Sequence, residues 1–342
     1  MGDPLGGLID GLARIRDRVI VDKEFESAHF RFGARTLRVC TRPEDAHLVP
    51  HGALVPAEPE DRAPSVYLVH ADETAGLEFP TGIPLAPYGA LVDSVATSWR
   101  IIWEPSARRL LALDTVTRVA LYLPDAVVPP RERAEFCRPL LHWLSVLDGN
   151  VVIHAGGVAR EGRGLLVAGA GNAGKSTLAR VCLSAGFDYL GDNVVEVELR
   201  GRDSRLHPTY PTFKIRRDPA VPISPDWPRP VWDDEAKKDI YFTAEFAGAR
   251  FARETTEHAA TLVLAEGAEG PFARLSTARA FFLMAPNTVA QYPLHEEQVL
   301  KRTGQVLAAA PVYLGGRRPL EALADEVDAL LAPEREDALR GR

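Results

Sequence analysis

The spacing of apolar residues divides the chain into a β-rich first part and a mixed second part. Leu5, Leu8, Leu12 and Ile15 recur at helical spacing, which predicts a short amphipathic helix near the N-terminus. Short β-type runs separated by Pro, Gly and Asp clusters follow, and this punctuation is typical of an antiparallel sheet. The runs cover residues 29–32, 36–40, 65–70, 99–103, 110–114 and 118–123. We therefore predict a small β-rich domain over residues 1–130, which would bind the acceptor or act as an accessory domain.

The second part alternates strands and helices, which is typical of an α/β domain. The pair Pro129-Pro130 precedes an amphipathic helix over 131–147, and we place the domain boundary at that pair. Strands are predicted at 151–153, 165–168, 194–199, 261–265 and 281–284, and helices at 175–185 and 320–331. The Pro- and Trp-rich stretch 219–239 is interpreted as a long functional loop. The α/β domain is thus expected to span 131–333, followed by a disordered tail over 334–342.

Composition narrows the classes of function. Among 342 residues, 46% are apolar and 25% charged, as in ordinary globular proteins. The 40 basic residues are scattered among 47 acidic ones, so nucleic acid is not expected as a partner, because binding its backbone needs a concentrated basic face. No signal peptide or apolar run of membrane-spanning length occurs, so we expect a cytoplasmic protein without a membrane partner. Whether the chain forms a homo-oligomer stays open.

A glycine-rich loop carries the clearest chemistry in the sequence. It consists of Gly169, Ala170, Gly171, Asn172, Ala173, Gly174, Lys175, Ser176 and Thr177, and these residues are called the phosphate loop below. The loop follows an apolar strand and opens a helix, which is the context that this pattern requires. Glycines let backbone N–H groups point at phosphate oxygens, Lys175 would reach the β- and γ-phosphates, and Ser176 would hold Mg²⁺. The sequence therefore predicts ATP and Mg²⁺ binding.

Residues on both sides of the phosphate loop resemble a known family. His154-Ala155 precedes the loop, Asp192-Asn193 follows the helix before a Val-rich strand, and His207-Pro-Thr-Tyr-Pro comes next. The run from about 155 to 215 resembles the HPr kinase/phosphorylase superfamily, whose fold is related to phosphoenolpyruvate carboxykinases. It is most similar to the compact bacterial members, including serine kinases of lasso peptides. The resemblance implies a P-loop kinase domain of that α/β fold beside the smaller β-rich domain.

The resemblance also implies roles for individual residues. Asp192 would act as the general base for an attacking hydroxyl or as a Mg²⁺ contact, and the plain alternative is a carboxylate that caps a turn. His154 would lie near the phosphates, or it is a buried histidine bonded to a backbone carbonyl. Lys237 and Lys238 are candidates for contacts with phosphate or acceptor, against the alternative of ordinary surface charge.

Two departures from the family pattern affect the substrate. Asn193 stands where the family has a second Asp, which removes one negative charge from the site. The Glu-x-Arg-Gly-x-Gly signature of true HPr kinases is absent from its expected position, since Glu198-Leu-Arg-Gly201 lies too close to Asp192. HPr is therefore not the expected substrate.

The hypothesis from the sequence is a kinase that phosphorylates a hydroxyl group with ATP and Mg²⁺. A serine on a peptide or protein ranks first as acceptor, and a small-molecule alcohol in a biosynthetic pathway ranks second. The rival hypothesis is a nucleotide-binding regulatory or assembly protein that hydrolyses ATP slowly.

Overall fold

The computed structural model describes most of the chain and divides it into two compact units, Met1–Leu147 and Asp148–Arg342. The described residues are 6–70, 72–74, 76–77, 85–86, 89–93, 97–104, 109–124, 128, 130–216, 228–234, 238–245, 250–268, 270–289, 296–316 and 319–333. The division falls after Leu147 rather than at residue 130, so the helix that precedes it belongs to the first unit. The predicted tail, 334–342, lies outside the described residues.

A sheet built of nine strands in the described part of the chain dominates the first unit. Its strands are β1 (Glu26–Phe32), β2 (Arg35–Thr41), β3 (Val55–Pro56), β4 (Ser65–Leu68), β5 (Leu85–Ala86), β6 (Gly89–Asp93), β7 (Trp99–Glu104), β8 (Arg109–Asp114) and β9 (Val119–Leu123). They lie in the order β3-β1-β2-β4-β9-β8-β7-β6-β5. Every predicted β-type run of this region overlaps one of these strands.

The prediction of an antiparallel sheet was wrong at the centre of this unit. Strand β4 pairs in parallel with both β2 and β9, with Cys40 opposite Tyr67 and Ser65 opposite Val119. Parallel neighbours need a crossover connection, and the chain between β2 and β4 is long enough to provide one, with two short 3-10 helices at Pro43–Leu48 and His51–Ala53. The Pro and Gly clusters between the predicted strands do not indicate whether the next strand pairs in parallel or antiparallel.

The predicted N-terminal helix is confirmed as α1 (Gly6–Val21). Leu8, Leu12, Ile15 and Val19 form its buried stripe, and they belong to one apolar cluster with residues of the sheet. Because these positions recur every three or four residues, they lie on one face of the helix. Burial of this stripe against the sheet positions α1.

The helix predicted over 131–147 is broken into α2 (Pro130–Ala134) and α3 (Arg138–Leu147). The break occurs at Cys137, which has a φ of 49° in the left-handed region. Pro139 explains the break, because proline has no N–H and fits only the first turn of a helix. The chain therefore starts a new helix at Arg138 instead of continuing the old one.

The second unit contains a mixed sheet and a smaller one. Its strands are β10 (Val151–Ile153), β11 (Ala155–Arg160), β12 (Arg163–Gly169), β13 (Asp188–Gly191), β14 (Val195–Arg200), β15 (Asp203–His207), β16 (Thr212–Arg216), β17 (Trp232–Asp234), β18 (Lys238–Phe242), β19 (Arg250–Phe251), β20 (Thr256–Leu264), β21 (Ala273–Arg274) and β22 (Val312–Gly315). The main sheet has the order β10-β14-β15-β20-β12-β11-β13-β19, with β22 beside β20 and β21 beside β22. The small sheet has the order β16-β18-β17.

Four helices in the described residues accompany these sheets. They are α4 (Lys175–Ser184), α5 (Thr277–Val289), α6 (Glu296–Ala309) and α7 (Leu320–Leu331). Leu178 and Cys182 of α4 and Val327 of α7 join one buried cluster with apolar residues of β12 and β20. This mixture of helices and several sheets agrees with the α/β class, and α7 confirms the predicted closing helix.

The strand predicted at 281–284 was wrong, because these residues lie inside α5. Ala280, Met284 and Thr288 recur at helical spacing and are buried, whereas the Phe282 side chain is 77% exposed. A run of four apolar residues fits a strand and a helix equally well by pattern. The surrounding helical spacing of buried residues decides for the helix.

Candidate phosphate and metal site

The sheet order brings two chain segments of the candidate site to one edge. Strand β11 pairs antiparallel with β12 on one side and with β13 on the other. Strands β12 and β13 therefore run in the same direction, and their carboxyl ends meet at the edge where β11 begins. The phosphate loop follows β12 at this edge, and Asp192 follows β13.

The glycines of the phosphate loop fit its backbone. Gly169 has a φ of 145°, and a Cβ atom there would lie 2.4 Å from the backbone oxygen of Leu264 in β20. Gly174 has a φ of 104° and caps the N-terminus of α4. Residues with a side chain rarely adopt such positive backbone φ values, so both positions favour glycine. Asn172 has a φ of 63°, which asparagine tolerates better than most residues.

The ammonium group of Lys175 folds back onto the first two residues of the phosphate loop. Its Nζ donates hydrogen bonds to the carbonyl oxygens of Gly169 and Ala170, each at 3.0 Å. Burial lowers the pKa of Lys175, the negative charge of Asp192 acts in the opposite direction, and the positive charge of Lys238 lowers the pKa further. The ammonium group is thus buried, bonded to two loop carbonyls and attracted by the charge of Asp192.

Asp192 and Ser176 form the acid and hydroxyl pair of the site. The Ser176 hydroxyl, in the first turn of α4, lies 3.0 Å from each carboxylate oxygen of Asp192. The backbone N–H of Lys214 in β16 donates to Asp192 Oδ2 at 3.3 Å. The Asp192 residue is only 7% exposed. The two residues that the sequence proposed as metal ligands are therefore in direct contact.

The turn that carries Asp192 is fixed by residues that sequence reasoning missed. Thr209 donates from its hydroxyl to the Val194 carbonyl at 2.7 Å and from its N–H to the Leu190 carbonyl at 2.9 Å. A Cβ atom on Gly191 would lie 2.6 Å from Thr209 Oγ1, so the turn needs glycine there. The segment His207-Pro-Thr-Tyr-Pro is part of the family resemblance, but its residue pattern alone does not indicate this contact.

Asn193 lies in the left-handed region of the backbone. Its φ is 82°, a conformation that asparagine, aspartate and glycine adopt more readily than other residues. The residue is half-buried in the turn between β13 and β14. The turn therefore requires a residue of this small class, and the choice of asparagine over aspartate leaves one carboxylate at the site.

The remaining predicted site residues are placed less directly. His154 is half-buried in the bend between β10 and β11, next to Ala155, which pairs with Ala168 just before Gly169. Its backbone is thus beside the start of the phosphate loop, and both interpretations of its side chain stay predictions. Lys238 is exposed at the start of β18. Lys237 lies outside the described residues.

The residues of this edge fit a phosphate group and Mg²⁺. The glycines of the phosphate loop leave room beside its backbone, and α4 begins within the loop at Lys175, as in anion sites at helix N-termini. Ser176 and Asp192 offer the hard oxygen donors that Mg²⁺ takes together with phosphate oxygens and water. Among the side chains that the structure describes, no group of three or more His, Cys, Asp or Glu could hold a metal ion. The donor set thus suits an ion shared with a phosphate rather than a closed metal cage.

Within the described ranges, no helix combines the length and the apolar character needed to cross a bilayer.

The chain matches no protein-family model. It also matches no curated protein. Among solved structures it is similar to the HPr(Ser) kinase/phosphatase from Coxiella burnetii, at 13% sequence identity and a TM-score of 0.29. The match covers 55% of this chain and 97% of that one. It indicates a distant structural relationship at most, and the activity in its title belongs to that protein.

Proposed function

We propose that this chain is an ATP-dependent kinase that transfers the γ-phosphoryl group to a hydroxyl group. The observation that carries the proposal is the contact between Ser176 Oγ and both oxygens of Asp192, at 3.0 Å each, directly beside the phosphate loop. In the proposed complex the Asp192 carboxylate would lie beside the terminal phosphate of ATP. It can accept the proton of an acceptor hydroxyl, help to hold a metal ion, or do both.

The residues of the site have distinct roles in this proposal. The backbone N–H groups of the phosphate loop and the Lys175 ammonium bind the phosphates, so Lys175 must exchange its contacts with the loop carbonyls for phosphate oxygens. Ser176 and Asp192 would hold Mg²⁺, which neutralises charge on the phosphate oxygens when bound. The Lys214 N–H and the Thr209 contacts keep the Asp192 carboxylate at the edge of the sheet.

In the proposed mechanism the γ-phosphoryl group passes directly from ATP to the acceptor hydroxyl. The acceptor oxygen bonds to the γ-phosphorus, and the bond from that phosphorus to the β–γ bridging oxygen breaks. The electron pair of the broken bond leaves with ADP, and the acceptor proton passes to the Asp192 carboxylate. The acceptor is a serine of a peptide or protein in the first place, and a small-molecule alcohol in the second.

A second candidate function is a nucleotide-binding regulatory or assembly protein with slow ATP hydrolysis. Asn193 is the observation that favours it, because the turn supplies one carboxylate instead of two. Such a protein would release phosphate at a rate that no hydroxyl acceptor raises.

The proposal is tested with γ-labelled ATP, Mg²⁺ and three sets of acceptors: serine peptides, proteins and small alcohols. We expect label transfer by the wild type and a loss of about 10²- to 10⁴-fold in Asp192→Asn, which keeps the size of the side chain. Asp203→Asn removes a carboxylate from an exposed position of β15 and is the matched control, with unchanged transfer. Undiminished transfer in Asp192→Asn would refute the assigned base. Phosphate release that no acceptor raises would favour the second candidate.

A further inference from the structure

Strand β16 lies at one side of the small sheet and contacts the candidate site directly. In the part of the chain that the structure describes, the order β16-β18-β17 gives β16 a strand partner on one side only. The opposite side of β16 is called its outer side below. On that side the Thr212 carbonyl accepts the hydroxyl of Tyr189 at 2.8 Å, and the Lys214 N–H donates to Asp192 Oδ2 at 3.3 Å. The outer side of β16 therefore leads along β13 to Asp192.

The pairing with β18 decides which main-chain groups of β16 lie on the outer side. The Thr243 N–H donates to the Pro211 carbonyl at 2.9 Å, just before the paired register of β16 and β18 begins. In an antiparallel pair every second residue makes the hydrogen bonds to the partner strand, and the residues between them direct their N–H and C=O groups away from it. Counted from Pro211, the residues with outward groups are Thr212, Lys214 and Arg216.

The outer side continues beyond the contact with Asp192. Arg216 follows Lys214 by two residues, which is roughly 7 Å along a strand, and its N–H and C=O groups lie on the same side. Main-chain groups on the side of an edge strand can pair with another extended chain. A peptide paired there would pass beside the Asp192 carboxylate, which the proposed mechanism makes the base for the acceptor hydroxyl.

The sequence of this strand and its neighbours is basic. The run from 208 to 217 contains Lys214, Arg216 and Arg217 and no acidic residue. Positive charge along a binding strand attracts a peptide with negative charge, and salt weakens that attraction. The charge pattern therefore favours a peptide with Asp or Glu residues.

We infer that the outer side of β16 binds the acceptor as an extended peptide strand, with acidic residues flanking the serine that is phosphorylated. The inference rests on the proposed function and specifies its substrate. Main-chain hydrogen bonds would hold the peptide, and the strand would present the serine hydroxyl to Asp192. A small alcohol has no main-chain groups to pair with β16, and the main-chain groups of a helix are already bonded within the helix. Both are therefore poor acceptors.

The first experiment uses synthetic peptides with γ-labelled ATP and Mg²⁺. The probe is a short peptide with one central serine flanked by aspartates, together with copies that are methylated on one backbone nitrogen at a time. Because alternate N–H groups of a strand face its partner, methylation should raise the peptide KM about tenfold at every second position and less than about twofold at the positions between. A KM that does not alternate along the peptide would overturn the inference.

The same assay tests the preference for acidic residues. A peptide with asparagine in place of each aspartate should have a KM about threefold higher at low salt, and the difference should shrink at high salt. Equal KM values for the two peptides at low salt would overturn the acidic preference.

The second experiment changes the protein at Arg216. Arg216→Pro removes the outward N–H, which an edge strand tolerates, whereas Arg216→Ala removes only the charge. We expect Arg216→Pro to raise the peptide KM about fivefold to tenfold above that of Arg216→Ala, without a change in ATP affinity. Arg205→Ala removes an exposed charge from β15 and is the matched control, with an unchanged peptide KM. Thermal unfolding shows whether Arg216→Pro is folded, and the methylated peptides test the wild type independently of this variant.

The outcomes separate this inference from the proposed function. Equal peptide KM values in folded Arg216→Pro and Arg216→Ala would overturn the pairing with β16. Label transfer to small alcohols or folded proteins, but not to the extended peptide, would overturn the inference and leave the kinase proposal intact. A wild type that labels no acceptor would overturn both together.

Discussion

Replacing Gly169 with alanine tests whether this glycine sets the shape of the phosphate loop. The φ of 145° is strained for any residue with a side chain, at a cost of about 1–3 kcal/mol. The new Cβ would lie 2.4 Å from the Leu264 backbone oxygen, which cannot rotate away because β12 and β20 are paired. Forcing such a contact adds about 1–3 kcal/mol. Together these two costs predict that Gly169→Ala lowers the free energy of unfolding of the second unit by about 2–6 kcal/mol and weakens ATP binding.

Gly171→Ala is the matched control within the same loop. A Cβ at Gly171 would meet no atom within 4 Å, so the free energy of unfolding should change by less than about 0.5 kcal/mol. Hydrogen exchange of β12, followed through a urea series, reports on the second unit alone. If the two variants show the same protection and the same ATP affinity, the steric account of the loop is wrong.

Two further predictions concern the turn of Asp192 and a buried histidine. Gly191→Ala would place a Cβ 2.6 Å from Thr209 Oγ1 and 2.7 Å from the Val194 oxygen. Because the turn must shift to relieve these contacts, the substitution should displace Asp192 and reduce label transfer by about 100-fold. Label transfer at the wild-type rate would contradict this prediction. Burial lowers the pKa of His258 from 6.5 to about 4, while Ser204 and Thr261 bind its two ring nitrogens. Between these pH values the unfolded chain takes up a proton that the folded one does not, so the free energy of unfolding should fall by up to about 3 kcal/mol as the pH drops from about 6.5 to about 4. Urea denaturation across this range should show a weaker pH dependence in His258→Gln, and identical slopes in both proteins would disprove the assignment.

The predictions from sequence that held were those that depend on neighbours in the chain. The strand, loop and helix around Gly169–Thr177 follow from a local pattern, and so do α1 and α7. The pairing of strands that are far apart in the chain could not be predicted from such local patterns. The parallel pairing of β4 with β2 and the pairing of β11 with β13, in which Gly157 lies opposite Gly191, both depend on contacts between segments that are not adjacent in the chain.

The candidate site shows the same limit. Asp192 was found through its resemblance to a family pattern, but its contacts with Ser176 and with the Lys214 N–H join residues 16 and 22 positions away. Asn193 was interpreted only as a lost charge, because the sequence does not reveal its left-handed backbone. The strand prediction for residues 281–284 failed for a related reason. The spacing of the buried residues, and not the apolar character of the run, distinguishes a helix from a strand there, and burial is not visible in the sequence.

Nucleotide binding by the phosphate loop is the central claim, and calorimetric titration of ATP with Mg²⁺ tests it most directly. The wild type should bind ATP, and Lys175→Ala should bind it about 10- to 100-fold more weakly, because the variant loses charge-assisted hydrogen bonds to the phosphates. Equal ATP affinity in the two proteins, or no binding by the wild type, would contradict the account.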